Sequence, residues 1–277
     1  MTQGGTFKRM IINLPQSPSD YAGVRTVAEL SKLIGVDLVA TFLEDPELIG
    51  LSALRCVREL RTAERAWRSL DAEQLARDLE RAAVAARQQL AEAAQASNIH
   101  ASFQLVRGTA EDVALQVQPG DIVALIEPRH PVERITRQFT SFAESAFKAA
   151  SSVMVIPSRV GRRRGPIVSI AAGAADPTIA AGSAIARAMN ERLVVLNRAG
   201  RRVSTQHAGA DPQAGQAGAG EWPPEPIQAQ TLFAALADLK ERLLVIPRGG
   251  LDWPSARMIA SLRGIPILAT DLQEAAA

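Results

Sequence analysis

Two segments of the chain repeat one another, and this repeat limits the fold more than any other feature. The first runs from Asp121 to Pro157: D-I-V-A-L-I, a turn holding Pro128-Arg129 and Pro131, a stretch with helical spacing, and S-S-V-M-V-I-P. An unalternating apolar run bounded by Gly120 and a proline turn reads as a buried strand, and Val153 to Ile156 reads as another. The second segment runs through Leu243 to Ile246, Pro247-Arg248-Gly249-Gly250, a short helix from Pro254 to Leu262, and Gly264-Ile265-Pro266-Ile267-Leu268-Ala269. Strand, turn, helix, strand thus occurs twice, with Pro-Arg after the first strand each time.

The segments before each unit also correspond. Met10 to Leu14 and Leu38 to Leu43 are buried strands, and Val24, Val27, Leu30 or Ser31, and Ile34 mark a helix between them that Gly35 closes. Ser19 or Asp20 is its N-cap. Ile167 to Ala171, a helix opened by Asp176-Pro177, and Leu193 to Leu196 repeat this pattern. Apolar runs without alternation suit a parallel sheet covered on both faces, joined by right-handed crossovers.

Between these landmarks, Pro46 to Ser97 reads as two helices, the second restarted by the capping box at Asp71-Ala72-Glu73-Gln74. Its stripe of Leu75, Leu79, Ala82, Ala86, Leu90 and Ala93 packs inward. Trp67, on the first of the two, is expected as a packing anchor, and Cys56 as a buried, inert thiol. Ala101 to Val106 is a third strand. Gly108, before the helix at Thr109, is either a plain turn residue or a place where a ligand approaches the backbone. In the second half, 201–228 is rich in Gly, Ala, Gln and Pro and is expected to be a mobile loop, with Gln206 to Pro226 its most mobile part. A helix from Thr231 to Glu241 follows it. The expected organisation is residues 1–157, a flexible basic linker at 158–166, and a shortened second unit at 167–277.

Composition narrows the function. The 277 residues carry 31 Lys plus Arg against 29 Asp plus Glu, so charge gives no reason to expect nucleic acid. One cysteine excludes an internal disulfide and a cysteine-based metal site. No apolar run approaches the roughly 18 residues of a spanning helix, and Met1 to Gly5 is polar, so a cytoplasmic protein without membrane insertion is expected. His100, His130 and His207 are far apart with no carboxylate at ligand spacing. No P-loop and no G-x-G-x-x-G occurs. The chain is therefore expected to have no catalytic residues and no metal.

M-I-I-N-L-P-Q-S, L-V-A-T-F-L-E-D, V-R-G-T-A-E-D-V-A and F-T-S-F-A-E-S-A-F-K-A-A-S-S-V-M-V-I-P, within two tandem α/β units, resemble tandem universal stress proteins. The resemblance covers nearly the whole chain. It implies two Rossmann-like domains of the adenine nucleotide α-hydrolase type, each with a five-stranded parallel sheet, and a stress-linked regulatory role in bacteria. It also implies that the fifth strands, Val153 to Ile156 and Ile265 to Ala269, pair antiparallel as an internal pseudo-dimer, since such strands pair that way across family dimers. Contacts with other proteins, or a homodimer, are expected besides.

ATP-binding members carry an Asp at the end of the first strand, where this chain has Pro15 in one half and Ala171 or Ala172 in the other. They also carry Gly-x-x-Gly, nine residues and Gly-Ser/Thr after the fourth strand. Here Pro128-Arg129-His130-Pro131 and Phe139-Thr140-Ser141 stand in the first half. The second half keeps Gly249-Gly250 before a shorter helix. No cofactor is expected. If ATP, another adenine nucleotide or another anion binds instead, the residues to hold it are Gly108, Arg129, Thr140, Ser141, Gly173, Arg248, Gly249 and Gly250.

Overall fold

The structure is a computed structural model and describes residues 7–14, 21–52, 54, 56–61, 65–114, 116–129, 134, 136–206 and 229–271. Ten strands form one sheet in the order β10-β9-β8-β11-β12-β7-β6-β1-β2-β5. The first half supplies β1 (Arg9–Asn13), β2 (Asp37–Glu44), β5 (Ala101–Arg107), β6 (Asp121–Ile126) and β7 (Ser152–Ile156). The second supplies β8 (Ile167–Ala171), β9 (Leu193–Asn197), β10 (Arg202–Gln206), β11 (Leu243–Pro247) and β12 (Ile267–Thr270). Counted outward from the centre, each half places its fifth, fourth, first, second and third strand in turn.

The expected meeting of the fifth strands is present. β12 and β7 pair antiparallel, with Ile267 opposite Val155, Leu268 opposite Met154, Ala269 opposite Val153 and Thr270 opposite Ser152. All eight residues are buried, and the hydroxyls of Ser152 and Thr270 lie 2.8 Å apart across the seam. An apolar strand left at an edge would template pairing with other chains; here each half covers the other's.

Helices lie on both faces. On one, α1 (Tyr21–Ile34), α3 (Ala72–Ser97) and α6 (Pro177–Ala188) pack on Met10, Ile12, Leu38, Met154, Ile167 and Leu268. On the other, α4 (Ala110–Ala114), α5 (Arg137–Ala149), α7 (Ala229–Leu236) and α8 (Trp253–Arg263) cover Val123, Val155, Ile170, Leu244 and Ile267. Both apolar layers draw from both halves. Phe139 and Phe147 of α5 meet Trp253 of α8 with ring centroids 5.7 and 5.6 Å apart, so aromatic contacts also cross the seam.

Local chemistry accounts for the helix ends. Asp71 accepts hydrogen bonds from the Glu73 and Gln74 amides to open α3, and Asp176 accepts from Thr178 N–H ahead of Pro177 to open α6. The inward stripe of α3 holds at Leu79, Ala86, Leu90 and Ala93. Gly35 and Gly264 close α1 and α8 with φ of 80° and 64°, the left-handed conformation that costs glycine nothing. Ser19 and Asp20 lie outside the described residues.

Several expectations fail, each for a visible reason. The region 46–97 holds two helices, the second opening at the expected Asp71 cap, but the first, α2 (Pro46–Ser52), is short and gives way to a hairpin of β3 (Arg58–Arg61) and β4 (Ala66–Ser69) before α3. Trp67 is consequently 59% exposed on β4, and Cys56 is exposed rather than buried. The second half is not wholly parallel, because β9 returns directly into β10 and that pair is antiparallel. A parallel return needs a crossover of a dozen or more residues, and here only 198–201 separate the strands. The expected loop at 201–228 therefore begins as a strand; 207–228, most of the segment expected to be mobile, lies outside the described residues. The helix expected to reach Glu241 stops at Leu236, and Glu241 instead receives two guanidinium groups, from Arg162 at 3.2 Å and Arg263 at 2.7 Å. The basic linker is correspondingly tied down, with Gly161 N–H also donating to Gly264 O at 2.8 Å.

Because both apolar layers and the sheet run across the seam, the chain is expected to unfold in a single urea transition. Ile267→Ala, which empties a fully buried site at the seam, should lower stability by about 3 kcal/mol. Two separate transitions would show that the halves fold independently.

Candidate functional site

In a mainly parallel sheet the loops beyond the strands' carboxyl ends are where ligands are held. The seam is antiparallel, so these ends lie on opposite sides of the sheet in the two halves. In the first half they comprise the segments after β1, β2, β5 and β6. Pro15, His130 and Pro131, which bear on the expected site, lie outside the described residues.

Gly108 and Ser141 come together. They line a cleft of about 220 Å³ with Leu43, Asp45, Glu47 and Thr109. Gly108 is buried and its N–H donates to Glu44 O at 3.1 Å. A Cβ added there would lie 2.6 Å from Asp112 Oδ2. That carboxylate accepts from Thr109 N–H at 2.7 Å and Thr109 Oγ1 at 3.0 Å, which hold it below the usual carboxylate range. The glycine makes room for this turn. Thr140 does not share the cleft; its hydroxyl donates back to Thr136 O at 3.1 Å within α5. Asp45, Glu47 and Glu111 give the cleft an acidic lining.

The loop after β6 is filled by the chain itself. Glu127, at the strand's end, is only 2% exposed. Its carboxylate lies 3.5 Å from Arg134 Nη1 and 3.3 Å from Arg257 Nε, and it accepts a hydrogen bond from Ser261 Oγ. Arg134 also donates to Pro128 O at 2.8 Å and to Arg129 O at 3.4 Å. Arg129 is exposed. Arg257 and Ser261 belong to α8, so the second half's helix binds the carboxylate that follows the first half's fourth strand.

The reverse exchange occurs at the other end of the sheet. Arg248, expected to meet an anion, instead donates through Nη2 to Phe147 O at 2.6 Å and Lys148 O at 2.7 Å. It satisfies the last carbonyls of α5, where a cation also complements the helix dipole. Gly249 (φ 77°) and Gly250 form the turn that aims it, Gly250 N–H donating to Pro247 O at 2.9 Å. Gly173 follows β8, the parallel neighbour of β11, and accepts from Asp176 N–H at 3.2 Å. Of the expected second-half residues, Arg248 is thus turned to the end of α5, while Gly173 and Gly249 follow adjacent strands.

Carboxylates occupy the second half's helix starts. Asp176 accepts from Ala172 N–H at 2.7 Å and Thr178 N–H at 3.0 Å. Asp252 accepts from Ser255 N–H at 2.9 Å, and the Ser255 donors hold its pKa down. The amides that would receive a phosphate already receive the chain's own negative charge. Among the described residues no group of three or more His, Cys, Asp or Glu is placed to hold a metal ion, and no helix is long and apolar enough to cross a membrane.

Sequence reasoning missed Glu127, Arg134 and Arg257, and did not connect Ser261, the hydroxyl near the end of the second-half helix, with them. The available signal was a lone acid ending an otherwise apolar strand, A-L-I-E-P. Glu127→Ala would leave two partly buried guanidinium groups facing each other without a counter-charge. It should cost about 3 kcal/mol in chemical denaturation; a change below about 0.5 kcal/mol, the scale of an ordinary surface substitution, would reduce the network to a surface pair.

No protein-family model matches the chain, and no curated protein matches it in sequence. Solved structures do. A protein of unknown function from Pseudomonas aeruginosa is 13% identical with a TM-score of 0.49, over 95% of this chain and 92% of that one. A universal stress protein from Archaeoglobus fulgidus superposes with a TM-score of 0.55 at 10% identity, over 96% of this chain and 97% of that one. The chain has the α/β fold of a universal stress protein, built around one mainly parallel sheet.

Proposed function

We propose that this chain is a non-catalytic regulatory or scaffold protein of a bacterial stress response, acting through contacts with other proteins rather than through a bound nucleotide. One observation carries the reading: Glu127, almost fully buried, occupies the loop after β6 with two arginines and a serine already bound to it. A triphosphate brought to that loop meets a carboxylate where a glycine-lined cradle offers amide donors. Displacing the arginines toward the phosphates would strand that carboxylate in the protein interior, which is costly.

The second reading is a sensor of an adenine nucleotide or another anion through an altered site. It rests on the cleft that Gly108 and Ser141 share. The acidic lining weighs against it, since every charge-assisted hydrogen bond to phosphate that a site fails to supply costs roughly 1.5–3 kcal/mol.

Calorimetry separates the two. Mg-ATP titrated into the chain should give no saturable heat at tens of micromolar, because the absence of two or three such hydrogen bonds moves a micromolar site to millimolar. No phosphate release above background should accompany it. A one-site isotherm in that range, abolished by Ser141→Ala or Gly108→Val, would establish the sensor reading instead.

A further inference from the structure

The two outer edges of the sheet are unlike each other. β10 is short, and its pairing with β9 slips between Arg202 and Ser204, a bulge of the kind that blunts an edge. β5 is seven residues long, pairs with β2 without a slip, and contains neither proline nor lysine. Leu38 N–H donates to His100 O and Gly108 N–H to Glu44 O, so the even-numbered residues of this stretch face β2. By strand alternation the amides and carbonyls of Ala101, Phe103, Leu105 and Arg107 point outward. Among the described residues no strand pairs with that side.

Beside this edge opens a cleft of about 580 Å³ floored by Leu75, Leu79, Phe103 and Leu105. Ile49, Val84 and Leu105 around it are 43, 63 and 46% exposed. Seven of the nine large apolar side chains exposed among the described residues lie on α2, the hairpin region, α3 or β5. The apolar surface is concentrated at this end of the molecule, as an interface requires. The rim carries both signs: Arg77 and Arg87 beside Glu80 on α3, and Glu44 paired with Arg107 at 2.8 Å.

We infer that this edge joins two copies of the chain, β5 against β5 about a two-fold axis, extending one ten-stranded sheet into the next. A two-fold axis makes the new pair antiparallel, the arrangement the chain already uses between β7 and β12. Centred on Gln104, it sets Phe103 opposite Leu105 of the second copy, so the outward amides and carbonyls on each side meet acceptors and donors. The apolar clefts then lie on the same face and close over one another. The mixed rim favours a second copy, which brings the same mixture of cations and acids, over a partner of one charge, which would leave half the rim charges unmatched.

Sedimentation velocity on the full chain, from roughly 1 to 100 µM, tests this. A reversible monomer–dimer equilibrium is expected. Leu105→Pro removes an N–H that no internal ladder bond uses, and Val84→Glu places a charge in the apolar seam. Each should weaken the dimer at least about tenfold, while Leu262→Glu, on α8, should leave it intact. If Leu105→Pro does not fold, Val84→Glu with an unchanged melting curve carries the test. In the unsubstituted chain, the Phe103 and Leu105 amides should exchange more slowly at high concentration. A chain monomeric throughout this range overturns the inference, including one that gains mass only when a different protein is added. So does a dimer indifferent to Val84→Glu, or one abolished by Leu262→Glu.

Discussion

The antiparallel pairing of β7 with β12 determines most of what surrounds it. Within each half the principal strands are parallel, apart from β10, so reversing direction at the seam sends the carboxyl ends of the two halves to opposite sides of the sheet. It also lays α5 beside α8 on one face and brings both halves into the opposite layer with α1 and α6. Each of α5 and α8 therefore ends next to the other half's post-fourth-strand loop. The contacts of Arg257 and Ser261 with Glu127, and of Arg248 with the end of α5, follow from that placement.

Among the described residues three carboxylates at no more than 2% exposure, Asp121, Glu127 and Glu241, share one solution. Each meets at least one guanidinium: Arg9 for Asp121, Arg134 and Arg257 for Glu127, Arg162 and Arg263 for Glu241. A buried ion pair adds little net stability over well-packed apolar groups, yet it strongly penalises any arrangement that separates the partners. Here Asp121 joins the starts of β6 and β1 within one half, Glu241 fastens the linker, and Glu127 fastens the seam. The charges specify which surfaces meet, while the apolar layers supply the driving force.

How much of this the sequence revealed depended on burial. Strands β1, β2, β6, β7, β8, β9, β11 and β12 are unalternating apolar runs, and their composition announces a sheet covered on both faces. The hairpin at Arg58–Arg61 and Ala66–Ser69 is largely exposed and rich in residues that helices also favour, so no periodicity marked it. β10, R-V-S-T-Q, is a polar edge strand held by a neighbour only five residues before it. At the site, the missing glycines were legible as substitutions. What replaced their function was not: Glu127 and Ser261 are 134 residues apart, and no local pattern connects them.

The divergence of the two halves is itself informative. In the first, β2 and β5 are joined through α2, the hairpin and α3, which builds a parallel third strand and an apolar cleft beside it. In the second, β9 turns straight into β10, Gly200 at φ 75° carrying the turn, and no helix intervenes. The family resemblance alone would give the chain two equivalent outer edges. Without one set of crossover helices, one edge is short and bulged, while the other has its full length, its register and its exposed apolar neighbours. The carboxylate after β6 is held by arginines and Arg248 is bound to the end of α5, while among the described residues no strand pairs with the outer side of β5, whose neighbours include exposed apolar side chains.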